Sequence, residues 1–159
     1  MASAAKTSEA PYRELTITRV FNAPRDLVFK VWTDPKHLSQ WWGPRGFTNP
    51  VCEVDLRVGG ELRIVMHSPD WGDAPMKGTF REINAPERLV FSNIAVDKDG
   101  KTLLEGTTTV TFEDQGGKTK LTVHTHARGV APIAVQMLAG MEQGWTESID
   151  KLGDYLRQI

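Results

Sequence analysis

The segment IAVQMLAGMEQGWTESIDKLGDYL, residues 133–156, decides the fold of this chain. Its bulky apolar side chains recur every three or four positions, at Leu138, Met141, Trp145, Ile149, Leu152 and Leu156. In an α-helix this spacing gathers them on one face, so the segment predicts a single long helix with an apolar stripe. A stripe of that length needs an extended apolar surface to cover it.

The segments before this helix alternate with a period of two. In residues 118–127, for example, Leu121 and Val123 alternate with Thr122 and His124, as in a strand with one buried face. Turn sequences between the segments leave room only for hairpins, which join antiparallel strands. Seven strands are predicted, over residues 13–21, 51–56, 61–67, 76–83, 88–95, 107–113 and 118–127.

Two short helices are predicted after the first strand. Asn22 is suited to cap the first of them, Pro24 suits its first turn, and Asp34 ends it. The second covers residues 36–40.

The order of these elements is one strand, two short helices, six strands and one long helix. Such an order indicates the α+β class, with an antiparallel sheet covering the long helix. The length of 159 residues suits one domain. We expect that domain over residues 13–159, preceded by a flexible tail over residues 1–12.

The bulk composition argues against several classes of function. Nineteen Lys and Arg against twenty Asp and Glu give a net charge of -1, and the basic residues do not cluster as a nucleic-acid surface requires. No apolar run reaches the roughly 18 residues that span a bilayer. The single cysteine, Cys52, cannot form an internal disulfide, so we expect a cytoplasmic protein.

A helix gripped by a curved sheet commonly encloses a pocket. Met adapts its shape to varied ligands and Trp offers a broad ring face, so the pattern favours binding of an apolar small molecule without a cofactor. Trp71, at a hairpin tip, suits a pocket rim, an oligomer contact such as a homodimer, or an exposed ring. The predicted ligand-binding residues are Trp32, Trp42, Phe47, Met66, Phe80, Phe91, Met137, Met141 and Trp145, with Arg19 as a polar anchor.

Each of these residues also has an interpretation as ordinary structure. The aromatic and Met side chains suit an apolar core equally well. Arg19 interrupts an apolar face, so it needs either a ligand carboxylate or a structural partner such as Asp26 or Glu82. Gly140 and Gly144 disfavour the helix, and they provide either room for a ligand or close approach of a strand.

The sequence assigns no catalytic residue and no metal ligand. His124 and His126 share a strand face, a spacing that can chelate a metal, but that face alternates with the apolar one and is expected to meet solvent. Cys52 has apolar neighbours that disfavour the thiolate, and no GxSxG elbow occurs.

Five motifs together resemble a known family. They are ITRVFNAP at residues 17–24, VWTDP at 31–35, WWGP at 41–44, DLRVGG at 55–60 and GWTESIDKLGDYL at 144–156. In this order and spacing they are similar to the family of activator-of-heat-shock-protein-90-ATPase homologues, within the START-like superfamily that includes the birch-pollen allergen. The resemblance implies a helix-grip fold, a curved seven-stranded antiparallel sheet around a long C-terminal helix with a cavity between them.

Three functions are compatible with that resemblance. The first is binding of an aromatic or lipid-like small molecule in the cavity. The second is contact with a chaperone ATPase of the heat-shock-protein-90 type, although the eukaryotic activators carry a further N-terminal domain that the residues before Arg13 are too few to encode. The third is a cyclase-like or aromatase-like enzyme, which needs an acid or base such as Glu82 or His67 inside the cavity.

Overall fold

A computed structural model describes residues 11–159 of the chain. The predicted tail, residues 1–12, lies outside the described residues except for its last two, and Tyr12 is the first residue of a strand. The elements in chain order are β1 (Tyr12–Phe21), α1 (Arg25–Thr33), α2 (Pro35–Leu38), β2 (Thr48–Val54), β3 (Glu61–Ser68), β4 (Gly72–Asn84), β5 (Arg88–Val96), β6 (Thr102–Gln115), β7 (Lys118–Gly129), α3 (Ala134–Ala139) and α4 (Met141–Gln158).

All seven strands lie in one antiparallel sheet with the order β1-β7-β6-β5-β4-β3-β2. Strands β2 to β7 follow one another as hairpins, whereas β1 pairs with β7, so that Ile17 lies opposite Val123. The predicted α+β class and helix-grip fold are confirmed. Strands β4 and β6 are longer than predicted, because their outer ends pair with neighbours without showing the apolar alternation.

The concave face of the sheet carries the apolar residues of the alternating pattern. Val110, Leu121 and Val123 are buried there. Gly78 and Gly106 assist the curvature, because a Cβ atom at either position would collide with a carbonyl oxygen of the adjacent strand. Glycines at such positions let strands approach closely and bend.

The predicted single C-terminal helix is instead two helices that meet at Gly140. The backbone of Gly140 has φ -91° and ψ 0°, away from the dihedral angles of a regular α-helix, and this residue separates α3 from α4. The predicted long C-terminal helix is confirmed as α4, but it does not extend back to residue 133. The prediction missed the break because the apolar spacing continues across it. The longer helix, α4, buries Ile149, Leu152 and Leu156 against the sheet.

Asn22 does not cap α1, contrary to prediction. The N-cap is Pro24, which has no capping side chain, and the cap interaction occurs one helix later. There, Asp34 ends α1 and its carboxylate accepts a hydrogen bond of 3.0 Å from the backbone N–H of Lys36, which starts α2. A carboxylate near a helix N-terminus also interacts favourably with the helix dipole.

Pro35 affects the hydrogen bonding at the end of α1. A proline has no N–H, so the carbonyl of Val31 lacks the partner that residue 35 would otherwise supply in a continued helix. The indole Nε1 of Trp41 donates to that carbonyl over 3.0 Å, and both residues are fully buried. This bond fixes the start of the 41–47 loop beneath α1.

Within residues 11–159, no helix is long and apolar enough to cross a membrane.

Candidate functional site

A cleft of about 250 Å³ opens to solvent between the C-terminal helices and the sheet. Its three walls are the α3–α4 junction, the loop of residues 41–47, and the concave side of strands β3 to β6. Apolar and small side chains form most of the lining, and no residue among the sixteen that line it carries a charge. Apolar walls with few polar groups are typical of small-molecule sites.

The helical wall consists of three soft or aromatic side chains with glycines between them. Met137, Met141 and Trp145 line the cleft together with Gly140 and Gly144. A Cβ atom at Gly144 would meet only Pro44 across the cleft, at 3.5 Å, and one at Gly140 would have no neighbour nearer than 3.9 Å. No strand approaches either glycine among the described residues, so these positions provide space.

The loop wall is attached firmly to α4. Nζ of Lys151 lies 3.1 Å from the carbonyl oxygen of Gly43 and 3.4 Å from that of Pro44, and it contacts no carboxylate within residues 11–159. Desolvation by burial lowers the pKa of Lys151 below its ordinary value. One turn earlier, the Glu147 carboxylate accepts a hydrogen bond of 3.0 Å from the backbone N–H of Arg45. Side chains of α4 thereby hold the loop by its backbone atoms.

Gly43 allows this loop to fold against the sheet. Its φ is +91°, a region that disfavours side chains, and an added Cβ atom would lie 2.7 Å from Sδ of Met66. The close approach seats Met66 under the loop. Trp42, the preceding residue, reaches across to α4, where its ring centroid lies 5.4 Å from that of Trp145 in an edge-to-face arrangement.

Behind this lining lies a second layer of buried rings. The Trp32 ring stacks at 6.5 Å from Trp145 with an interplanar angle of 16°, and Phe91 lies 6.4 Å from Trp42 and 6.3 Å from Phe80. These three residues are buried in the core. They support the cleft walls from behind, and none of them lines the cleft. The Nε1 atom of Trp32 has no hydrogen-bond partner in the described part of the chain.

A polar group that the sequence did not single out lies on the sheet wall. Asn93 on β5 lines the cleft, and its Oδ1 accepts a hydrogen bond of 2.8 Å from Thr108 on β6. The Thr108 hydroxyl is also 2.8 Å from that of Thr125 on β7, and both threonines are fully buried. Strand parity places Asn93 on the same face as Phe91, and this was the only signal available to find it.

The structure places the ten predicted site residues in three groups. Five line the cleft, namely Trp42, Met66, Met137, Met141 and Trp145. Three form the buried layer behind it, namely Trp32, Phe80 and Phe91. Phe47 is half-buried in the loop and is not part of the lining, and Arg19 lies on the far side of α4. Their role in ligand binding remains a prediction.

The expected partner of Arg19 was wrong. Its guanidinium lies 2.6 Å from the carboxylate of Asp150 on α4, rather than near Asp26, and Glu82 is paired with Arg88 at 3.1 Å. The pairing arises because β1 runs along one side of α4 and brings the inward-facing Arg19 to the helix. The structural interpretation of Arg19 as one half of an ion pair is the one that the geometry supports.

The other titratable candidates lie outside the cleft. His67 is paired with Asp73 at 2.8 Å, on the exposed side of β3 and β4, and neither it nor Glu82 lines the cleft. His124 pairs with Glu14 on the convex face. Burial raises the pKa of the Cys52 thiol to about 11. Within residues 11–159, no three His, Cys, Asp or Glu side chains converge as a metal site would need.

The charged hollows elsewhere on the surface are less suited to binding a ligand. One of them, of about 470 Å³, is shallow and lies beside Arg13 and Glu142, which are already paired with each other at 2.8 Å. A ligand there would compete with that ion pair and with water.

Trp71 is 80% exposed at the tip of the β3–β4 hairpin, away from the cleft lining.

Known proteins share this architecture. Residues 22–157 match the family described as Activator of Hsp90 ATPase homolog 1-like protein. No curated protein matches the chain. Among solved structures, a protein of Arthrobacter aurescens is 28% identical with a TM-score of 0.78, over 92% of this chain and 87% of that one.

Two further structures are similar over nearly their whole length. A protein of Nitrosomonas europaea is 27% identical with a TM-score of 0.73, over 91% of this chain and 94% of that one. The AHSA1 protein of Silicibacter pomeroyi is 25% identical with a TM-score of 0.76, over 92% of this chain and 99% of that one. The chain therefore belongs to the Activator of Hsp90 ATPase homolog 1-like family, within the START-like superfamily.

Proposed function

We propose that this protein binds a small apolar molecule, of one or two rings, in the cleft between α4 and the sheet. The main support for the proposal is an uncharged cleft beside Gly140 and Gly144. Because these two residues have no side chains, the helical wall leaves open space there. Its volume of about 250 Å³ exceeds the ~150 Å³ of an engineered cavity that takes up benzene. A molecule with two fused rings is therefore a suitable occupant.

The expected affinity is moderate. A ring system of the size of an indole buries up to ~250 Å² of apolar surface, which at ~25 cal/mol per Å² gives roughly 6 kcal/mol. That free energy sets an upper limit on the affinity, a dissociation constant on the order of tens of micromolar, because the lost translational and rotational freedom of the ligand must still be subtracted. The rigid loop and helix walls reduce the ordering that binding would otherwise require, which favours measurable binding.

The test is a thermal-shift screen of aromatic and alicyclic compounds on the wild-type protein, together with mass spectrometry of small molecules that co-purify with it. At one hundred times the dissociation constant, a ligand stabilises the fold by about 2.7 kcal/mol. Gly144→Leu fills the cleft and should abolish the shift. Gln143→Leu makes a similar change on the exposed side of α4 and should leave the shift intact. Equal shifts in both variants would place binding elsewhere.

A second candidate is a co-chaperone role, and the description of the matching family is what favours it. The purified chain would then raise the ATPase rate of an Hsp90-type chaperone. Unchanged turnover at saturating protein would remove this candidate. Because Gly144→Leu alters the cleft and not the exposed surface, an ATPase effect that survives this variant separates the two roles.

Two further properties belong to the same proposal. We place the protein in the cytoplasm, since its single cysteine is half-buried and has no partner for a disulfide among residues 11–159.

A homodimer stays a prediction, for which exposed Trp71 is the candidate contact. Sedimentation of wild-type protein and Trp71→Ser at the same concentration tests the dimer. Equal monomer masses for both would reject it.

A further inference from the structure

The polar side chains that line the cleft each keep a hydrogen-bond donor that has no partner within residues 11–159. Because Oδ1 of Asn93 already accepts from Thr108, the free group of this side chain is its amide nitrogen, which makes no hydrogen bond within residues 11–159. Trp42 and Trp145 add indole N–H groups, which donate only, and these have no partner in the described part of the chain. Ser148 adds a hydroxyl that can donate or accept, and it too is without a partner there.

The Asn93 amide is held at its oxygen by a chain of two buried hydroxyls. Thr108 has one hydroxyl hydrogen, and it donates that hydrogen to Asn93. The bond between the two threonine hydroxyls must therefore be donated by Thr125, which leaves Asn93 as the end of the chain. Buried polar chains of this kind hold a side chain in one rotamer and raise the cost of reorienting it. The amide nitrogen is thus presented to the cleft by a fixed support.

The acceptor that would satisfy this nitrogen should be neutral. No Lys, Arg or His lines the cleft, and Lys151, which holds the loop wall, is already engaged with loop carbonyls. A carboxylate or phosphate would lose its hydration on entry without gaining a counter-charge, which is strongly unfavourable. A ketone, quinone or lactone carbonyl accepts from an amide N–H at far smaller desolvation cost.

We infer that the ligand is a neutral one-ring or two-ring compound bearing a carbonyl oxygen, and that Asn93 holds this oxygen at the sheet wall while the rings lie against Trp145. This inference rests on the proposed function and specifies the ligand class of the same cleft. Asn93 is a binding residue in it, and Thr108 is a positioning residue that acts through Asn93.

The experiment compares 1-indanone, indane and indane-1-carboxylate as probes, measured by calorimetry on the full chain. The two-ring skeleton is constant, so only the polar group changes. Wild-type protein should bind the ketone about tenfold tighter than the hydrocarbon, the size of one net hydrogen bond, and should bind the carboxylate weakest. Asn93→Leu should bind the ketone no tighter than the hydrocarbon, because the carbonyl then loses its hydration without gaining a donor. Thr108→Val should leave a ketone preference that is smaller than that of the wild-type protein.

The outcomes test the carbonyl inference and the proposed apolar binding separately. Equal binding of ketone and hydrocarbon by wild-type protein would overturn the carbonyl inference while leaving apolar binding in place, and so would tightest binding of the carboxylate. A ketone preference that persists in Asn93→Leu would also overturn it. Binding of none of the three would reject the proposed function for this size class.

A second measurement covers the case in which Asn93→Leu fails to fold. The carbonyl stretch of bound 1-indanone, followed by infrared difference spectroscopy on wild-type protein, should lie at lower frequency than in a hydrocarbon solvent. A stretch at the hydrocarbon position would show that no donor reaches the oxygen, and would overturn the inference without any variant.

Discussion

Gly144 is expected to weaken the fold in exchange for space, and Gly144→Ala measures this directly. The residue lies inside α4, where glycine is less favourable than alanine by about 0.5 to 1 kcal/mol. The added Cβ atom would meet Pro44 Cγ at 3.5 Å, an ordinary van der Waals distance. Nothing offsets the gain in helix propensity, so the free energy of unfolding should rise by about 0.5 to 1 kcal/mol.

Gly153→Ala, in the same helix, is the matched control. Its Cβ atom would lie 3.1 Å from Cε1 of Phe21, a side chain packed in the core, so the ring must shift to admit it. Overpacking of this kind typically costs 1 to 3 kcal/mol, about equal to or larger than the propensity gain. We therefore expect Gly153→Ala to be neutral or destabilising, and the two variants to differ by about 1 kcal/mol or more.

Equilibrium unfolding in urea measures both variants, and the melting temperature gives an independent reading. For a chain of this length, 1 kcal/mol shifts the melting temperature by ~2 to 4 °C. Gly144→Ala should also weaken binding of any cleft ligand, because the new methyl group occupies the space beside Pro44. If Gly144→Ala lowered stability, or if both alanines raised it equally, the account of this glycine as space for a ligand would be refuted.

Three further predictions concern the surroundings of the cleft. Trp41→Phe should cost about 1 to 3 kcal/mol more than Trp32→Phe in urea unfolding, because only the former leaves a buried α1 carbonyl unpaired; equal losses would contradict this. Lys151→Met should speed hydrogen exchange at residues 42–47 without unfolding the sheet, whereas unchanged exchange would show that the lysine does not hold the loop. Cys52, with a thiol pKa of about 11, should react with a disulfide reagent at pH 8 at least tenfold more slowly in the folded than in the urea-unfolded protein, and equal rates would contradict its burial.

The sequence predicted the sheet and the covering helix because both depend on repeated features. Alternation in β7 fixes which residues face the core, and the stripe containing Ile149 and Leu152 fixes which face of α4 is buried. The break at Gly140 was missed, since apolar periodicity continues through it and one glycine in a helix is tolerated often enough to be uninformative. Periodicity reports which side of an element is buried, and it does not report where the element is interrupted.

The site was less predictable than the fold for a related reason. Phe91 and Asn93 share the concave face of β5, yet one belongs to the buried layer and the other to the open cleft. Strand parity cannot distinguish facing the core from facing a hollow in it. The ion pair between Arg19 and Asp150 joins residues 131 positions apart, and no local pattern identifies such a partner.

The position of β1 in the sheet affects how the chain can fold during synthesis. Strands β2 to β7 form by successive hairpins, each requiring only its neighbour, but Ile17 must wait for Val123 before its ladder exists. Until the ribosome has released β7, neither edge of the first strand is paired, and its apolar face is uncovered. Contacts between such distant segments fold slowly and expose the chain to aggregation meanwhile. Newly made chains should therefore be most prone to aggregation before the last strand emerges.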